Sequence, residues 1–294
     1  MSKQTNTDWV SAVILEDDDS DDEIMNSIVS KQKLDKHLES DKHLESDKSL
    51  ESDIETSVVK KKRIIREPLN KWFNNDTNII EIGIDEAGRG PMFGRVYASA
   101  VVLPKDDSFQ HSQMKDSKKF HSKKKIETVA DYIKQHAIMW AVEYEDEQTI
   151  DEINILQATQ SAMHKCIKSI LQQLFEINIY NIHNILLLID GNYFKPYTMF
   201  NKTLSKMEYI RYQMIEGGDN KYTSIAAASV LAKVERDKYI EELCIANPEL
   251  VERYGIDSNK GYGSKKHMDG IRQYGITKWH RRTFGICREF YQKT

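Results

Sequence analysis

Asp85 and Glu86 stand side by side at the end of an apolar run, IIEIGIDEAGRGP (79–91), and Asp190 and Asp219 close two further runs later in the chain. Ile80, Ile82 and Ile84 alternate as they would in a buried or half-buried strand. The two acids then pass into a loop whose glycines at 88, 90 and 94 let the backbone turn sharply and approach another molecule, while Pro91 stiffens it. Acids beside Gly and Pro most often only make turns, so the weight falls on the other two. HNILLLID (183–190) is a short, all-apolar strand of the kind covered on both faces, ending on Asp190. Glu208 to Glu216 reads as another strand, running into Gly217-Gly218-Asp219. Four carboxylates brought into one cleft repel each other, and some must take up protons. A divalent cation removes that conflict, and oxygen ligands without His or Cys point to magnesium or manganese rather than zinc. Paired ions held by acids are the apparatus of in-line displacement at phosphate. In that setting Ser117, Lys118 and Lys119 are expected on a phosphate backbone; the plainer reading of this lysine-rich stretch is a solvated loop.

These acids need a sheet to hold them. Ile79 to Leu103 reads as a strand pair around the glycine loop, and Ser122 as the cap of a helix from Lys123 to Gln135. Ala137 to Tyr144 reads as a third strand. From Ile153 onward the apolar spacing is that of an amphipathic helix, with Met163, Ile167, Ile170 and Leu174 on one face. Thr223 or Ser224 caps a helix whose first turns, Ala226 to Ser229, are small enough to lie almost in contact with a sheet. From about residue 246 the chain reads as helical, with a flexible turn at Gly261-Tyr262-Gly263 and a basic cluster at 278–282. Three strands, then helix, two strands and helix, predict an α/β fold: a mixed five-stranded sheet with helices on both faces.

The front of the chain is different. Residues 1–59 carry 6 Lys and 16 Asp or Glu, whereas the rest carries 36 basic and 30 acidic residues. Residues 35–53 repeat DKHLES, DKHLES, DKSLES, a period that fits neither helix nor strand. With so little to bury, this part does not offset its chain entropy. The expected organisation is a disordered acidic tail at 1–66, a catalytic domain at 67–245 and a helical C-terminal part at 246–294. Within the tail, Val13-Ile14-Leu15 before EDDDSDDE resembles a SUMO-interacting motif, a strand adding to a partner's sheet edge, or is simply solvated acid. Lys60 to Arg63 reads equally as a functional patch, for nuclear localisation or nucleic-acid contact, or as a charged linker. No apolar run is long enough for a bilayer and no N-terminal signal peptide is evident. Cys166, Cys244 and Cys287 lack metal-ligand spacing, so an intracellular, reducing compartment is expected, cytoplasmic or nuclear; the chain is expected to be a monomer.

Taken together, IDEAGRGP (84–91), DSKKF (116–120), IDG (189–191), GGDNKYTSIAAASVLAKVERD (217–237) and GYGSKKH (261–267) resemble the ribonuclease HII family, with further likeness at IDEIN…QAT (150–159) and HRRTF (280–284). The resemblance spans about residues 79 to 285 and implies a ribonuclease H-like fold. It implies hydrolysis of the RNA strand of RNA–DNA hybrids and nicking of duplex DNA 5′ of an embedded ribonucleotide, with two Mg²⁺ or Mn²⁺ ions on Asp85, Glu86, Asp190 and Asp219. By the same resemblance, Gly88-Arg89-Gly90 surrounds the ribose 2′-hydroxyl and Tyr262 stacks under the next sugar, while Asp237 is structural. One departure is that Glu216-Gly217-Gly218 precedes the fourth acid, where the family more often has Lys-Gly or Lys-Ala. Two alternatives stand beside this reading: a hydrolase restricted to longer hybrids, like the type HIII relatives, and a non-catalytic hybrid-binding module. His267 and His280 are left between phosphate contact and packing.

Overall fold

A computed structural model describes residues 67–177, 181–201 and 205–291. The chain divides into two units, Met1–Ile64 and Ile65–Thr294, and the description concerns the second. The expected tail, its repeat, the Val13–Leu15 segment and the Lys60–Arg63 patch lie outside the described residues.

The elements in chain order are β1 (Ile80–Ala87), β2 (Val96–Val102), α1 (Lys123–His136), β3 (Met139–Glu145), α2 (Glu147–Glu176), β4 (Ile185–Asp190), β5 (Thr198–Asn201), β6 (Lys206–Tyr209), β7 (Arg211–Ile215), α3 (Thr223–Ala246), α4 (Glu249–Tyr254), α5 (Ile256–Asn259) and α6 (Lys265–Tyr274). Five strands form one mixed sheet in the order β3-β2-β1-β4-β7. β1 runs antiparallel to β2, and β2 to β3. β4 runs parallel to β1 and to β7. One face of the sheet, with Ile82, Ile84, Ala98 and Ala100, packs on Met163, Ile167 and Ile170 of α2. On the other face, Val101 packs with Val129 and Ile133 of α1 and with Ala226 to Ala228 of α3. The predicted sheet with helices on both faces is therefore the observed one.

The small residues at the start of α3 do what their size allows. A Cβ at Gly83 of β1 would lie 2.3 Å from the Ser224 carbonyl carbon, so helix and strand meet backbone to backbone. The C-terminal helices close on the other end of α3: Leu250, Tyr254, Ile256 and Ile271 form one apolar cluster with Ile240, Cys244 and the loop residues Met92 and Phe93. The loop after β1 is thus held between the sheet and the C-terminal part.

Two sequence expectations are corrected. Glu208–Glu216 is not one strand. It is split at Ile210, which is fully buried and donates its N–H to Tyr197 O at 3.1 Å. Residues before it pair with β5 in a separate two-stranded sheet, and only β7 joins β4. Secondly, the helix expected from Ile153 begins at Glu147, where the Asp146 carboxylate accepts the Thr149 N–H at 2.8 Å. It is interrupted at Asn154 (φ 67°), whose side chain caps the following segment through the Gln157 N–H at 3.1 Å. The periodicity marked the second segment alone, because the first turn buries only Glu147 and Ile150. Asp237 sits within α3, where it forms an ion pair with Lys233 at 2.7 Å.

Candidate active site

Parallel strands align their C-terminal ends, and ligands of open α/β sheets collect there. The register pairs Ile84 with Ile189, so Asp85 and Asp190 are the next residues on adjacent strands. Asp190 in turn pairs with Ile215, the last residue of β7, and Asp219 follows in the turn Gly218–Asn220 before α3. Glu86 belongs to the last residues of β1. Sheet topology therefore gathers acids that lie 134 residues apart in the chain.

Each carboxylate has a local tether. Asp85 Oδ1 accepts the Glu86 N–H at 2.7 Å, and the nearby Ser229 hydroxyl favours its charged form. Asp190 Oδ1 accepts the Gly218 N–H at 2.6 Å. Asp219 Oδ1 accepts from Asn220 Nδ2 at 2.9 Å, and Glu86 pairs with Arg89 at 3.0 Å. Burial, and then the charges of Glu86 and Asp190, push Asp85 well above the ordinary carboxylate value. Glu86 is raised by burial, with Arg89 opposing, and Asp219 by burial, Asp116 and Asp190. Burial opposes the charge on Lys118, but Asp116, Asp219, Asp85 and Asp190 together raise it. One lysine thus feels three of the four acids, and Asp190 is felt by the other three.

Among the described residues no three His, Cys, Asp or Glu side chains are already drawn around one point as a finished metal cage. The donor set nonetheless fits a hard divalent cation: it is all oxygen, wholly or partly buried, and charged against itself, so a cation would offset both the burial and the repulsion that raise Asp85, Glu86 and Asp219.

Beside the acids lies an open cleft of ≈ 390 Å³, walled by Glu86, Gly88, Arg89, Gly90, Lys118 and Tyr262. Asp85, Asp190 and Asp219 are not part of that wall. Ser117 borders the cleft but is buried, its hydroxyl 2.9 Å from that of Ser229, so it joins the chain of contacts behind Asp85. Gly88 takes φ +92°, and a Cβ there would lie 2.3 Å from Arg236 Nε. Gly90 lies against the Tyr262 ring, 3.4 Å from its would-be Cβ to Cε1, and Tyr262 is about half exposed. Sequence reasoning left out Asp116 and Ser229. Asp116 accepts the Lys118 N–H at 2.9 Å and, at 3.3 Å, the side-chain amide of Asn220, which also donates to Asp219; its signal was available as the acid opening DSKKF.

His267 and His280 prove to be packed. Both are buried, and their Nε2 atoms are 3.1 Å apart. Thr277 N–H donates to His280 Nδ1 at 2.9 Å, which leaves His280 Nε2–H to donate to His267 and His267 Nδ1–H to donate to Tyr262 O at 2.9 Å. The chain is complete only with both rings neutral. Burial and the neighbouring ring lower His280 to about 3, and burial lowers His267. An unfolded histidine takes up its proton near pH ~6.5, so stability is present above that pH and lost as pH falls below it. Between pH ~7 and ~5 we expect His280 alone to cost about 2 kcal/mol, read by urea unfolding at both values. In His280→Gln the pH difference should shrink; an unchanged difference would remove the histidine pair as its cause.

The ribonuclease HII family model matches residues 82–287, which includes all four acids, the glycine turn and Tyr262. The chain belongs to the ribonuclease HII family. It is 41% identical over 214 residues to the ribonuclease HII of Parabacteroides distasonis, covering 73% of this chain and 94% of that relative. To that of Chlorobium luteolum it is 43% identical over 207 residues, covering 69% and 88%. Among solved structures, it is similar to the ribonuclease H2 of Pyrococcus horikoshii (TM-score 0.52, 22% identity, 72% of this chain and 97% of that one). It is also similar to the RNase HII of Archaeoglobus fulgidus, solved in complex with PCNA (TM-score 0.50, 23% identity, 74% and 98%). These two likenesses concern the fold. As a ribonuclease HII the protein is a hydrolase with ribonuclease H activity, which removes the non-catalytic reading. Among the described residues no helix is long and apolar enough to cross a membrane.

Proposed function

We propose that this ribonuclease HII nicks duplex DNA on the 5′ side of an embedded ribonucleotide, as well as cutting RNA–DNA hybrids, and leaves 5′-phosphate and 3′-hydroxyl ends. The observation that carries the reading is the juxtaposition of the acid cluster with a glycine turn that touches Tyr262. Asp85, Glu86, Asp190 and Asp219 would hold two Mg²⁺ or Mn²⁺ ions. When bound, such ions supply an activated water on one side of the phosphorus and charge stabilisation of the leaving oxygen on the other.

This chain's own residues do the rest. Lys118, held beside the acids, meets the phosphate and limits its repulsion from the carboxylates. The Glu86 N–H fixes the orientation of Asp85, with the Ser229 hydroxyl nearby favouring its charge, and the Gly218 N–H fixes that of Asp190. Gly88, Arg89 and Gly90 meet the ribose, whose 2′-hydroxyl separates RNA from DNA. The Tyr262 ring packs under the following sugar, where a deoxyribose fits and a ribose is crowded. That last contact favours junction cutting over the restricted, long-hybrid reading.

The test is a labelled duplex carrying one ribonucleotide, incubated with Mg²⁺ or Mn²⁺, with the product ends mapped. Cutting of long hybrids without cutting of this duplex would replace the proposal by the type HIII-like reading. Tyr262→Ala should lose about 1–3 kcal/mol of stacking, so about 5- to 150-fold in kcat/KM on the single-ribonucleotide duplex. The loss on long hybrids should be smaller. Equal losses on both substrates would count against a junction role for the tyrosine.

A further inference from the structure

The turn Gly88–Gly90 is held from behind by a buried cation. Arg281 is fully buried and donates only to main-chain carbonyls: Nη2 to Gly88 O at 2.6 Å, Nη1 to Arg89 O at 3.0 Å and Pro91 O at 2.7 Å, Nε to Gly94 O at 2.8 Å. Arg236, also buried, continues the pattern, with Nη2 donating to Phe93 O at 3.2 Å and to Lys260 O at 2.9 Å. Among the described residues neither guanidinium forms an ion pair. Burial lowers Arg281 to about 9, which leaves it charged at neutral pH. A buried charge with no carboxylate in ion-pair contact is costly; carbonyl dipoles compensate it at contact distance, and Glu147 and Asp151 favour the Arg281 charge from further off.

The direction of those carbonyls has a consequence on the opposite side. In a trans peptide the C=O of one residue and the N–H of the next point in opposite directions, and the described chain has no cis peptide bond. With Gly88 O and Arg89 O aimed at Arg281, the N–H groups of Arg89 and Gly90 are turned away from it. Gly88, Arg89 and Gly90 form a wall of the cleft, with Tyr262 against Gly90. A cation on the oxygen end also polarises each peptide and strengthens its N–H as a donor.

We propose that Arg281 is a positioning residue for ribose recognition: it anchors the Gly88 and Arg89 carbonyls so that the Arg89 and Gly90 amides are presented, polarised, to a hydroxyl oxygen in the cleft. Lysine cannot replace it, because the carbonyls are spread in a fan that suits a planar fork of donors rather than a single ammonium. The proposal rests on the reading of this turn as the ribose-sensing element.

The test measures binding by fluorescence anisotropy in metal-free buffer, using the full chain and two labelled duplexes identical except for one ribonucleotide. Wild type should prefer the ribonucleotide duplex. In Arg281→Lys the ratio of the two affinities should fall by roughly fivefold to tenfold, the worth of a lost hydroxyl contact, while thermal unfolding stays cooperative. A folded Arg281→Lys protein with an undiminished ratio overturns the proposal, since a purely structural arginine would lower both affinities alike. If that variant does not fold, the ¹⁵N-labelled wild type decides. The Arg89 and Gly90 amide resonances should move with the ribonucleotide duplex and not with its all-DNA twin, and unmoved amides overturn the proposal. A wild type with no preference between the duplexes overturns instead the ribose-sensing reading itself, and this proposal falls with it.

Discussion

Asp85→Asn is expected to abolish hydrolysis and, in the absence of divalent metal, to raise the melting temperature. Loss of one carboxylate from a phosphate-displacing site removes several kcal/mol of charge organisation, and about 4 kcal/mol corresponds to roughly a thousandfold in rate. The stability effect has the opposite sign. Burial, Glu86 and Asp190 hold Asp85 well above its ordinary value of 3.8, so the folded state resists an ionisation that the unfolded state accepts. Such a group lowers stability as pH rises above the unfolded value, and asparagine removes that penalty at neutral pH. The amide oxygen can still accept the Glu86 N–H, so the fold need not change around it. A gain of about 1 kcal/mol moves Tm by about 2–4 °C in a domain of this size. Calorimetry in EDTA, alongside the single-ribonucleotide assay in Mg²⁺, reads both effects. A variant that melts lower than wild type would undo the picture of a self-repelling cluster, and a variant that cuts at the wild-type rate would undo the catalytic assignment.

Gly83→Ala carries the second large effect, and here the loss is structural. The added methyl would meet the Ser224 carbonyl carbon at 2.3 Å, its oxygen at 2.5 Å and the Ile225 nitrogen at 2.6 Å, all of them backbone atoms. No side chain is available to rotate aside, so α3 must move off the sheet. Overpacking of a filled core costs about 1–3 kcal/mol and sometimes more; backbone against backbone belongs at the upper end, or about 6–12 °C in Tm. The same helix carries Ser229, whose hydroxyl favours the Asp85 charge, and Arg236, which lies under Gly88. Activity at a temperature well below the new Tm should therefore fall as well. An unchanged Tm would contradict the close approach of β1 and α3.

Much of the sheet could be read from the chain because its strands have simple signatures. Val96–Val102 and Ile185–Asp190 are almost wholly apolar since helices cover both faces, and the Ala226–Ala228 triplet announces a helix in close contact. The acids stand out for a related reason: Asp85 with Glu86, and Asp190, end apolar strands, where a charge has no packing role, and Asp219 follows a glycine pair that turns the chain. The split at Ile210 was not legible. An isoleucine among tyrosines and alternating polar residues reads as strand continuation, and only its hydrogen bond to Tyr197, on a segment with no marked periodicity, turns the chain into a second sheet. Asp146 and Asn154 were equally hidden, because side-chain caps act over three residues and leave no periodic trace.

On its own the sequence determined which residues carry charge, which runs are apolar and where glycine permits a turn, because these are properties of residues and their immediate neighbours. The roles of the larger polar side chains were decided by tertiary structure alone. Nothing local separates Arg281 from the adjoining Arg282, yet one is buried against four carbonyls and the other is exposed. Nothing local marks His267 and His280 as partners, or Ser117 and Ser229. The reason is physical: a buried polar group takes its meaning from the donor or acceptor that satisfies it, and in this fold those partners come from distant segments that only the packed sheet and helices bring together.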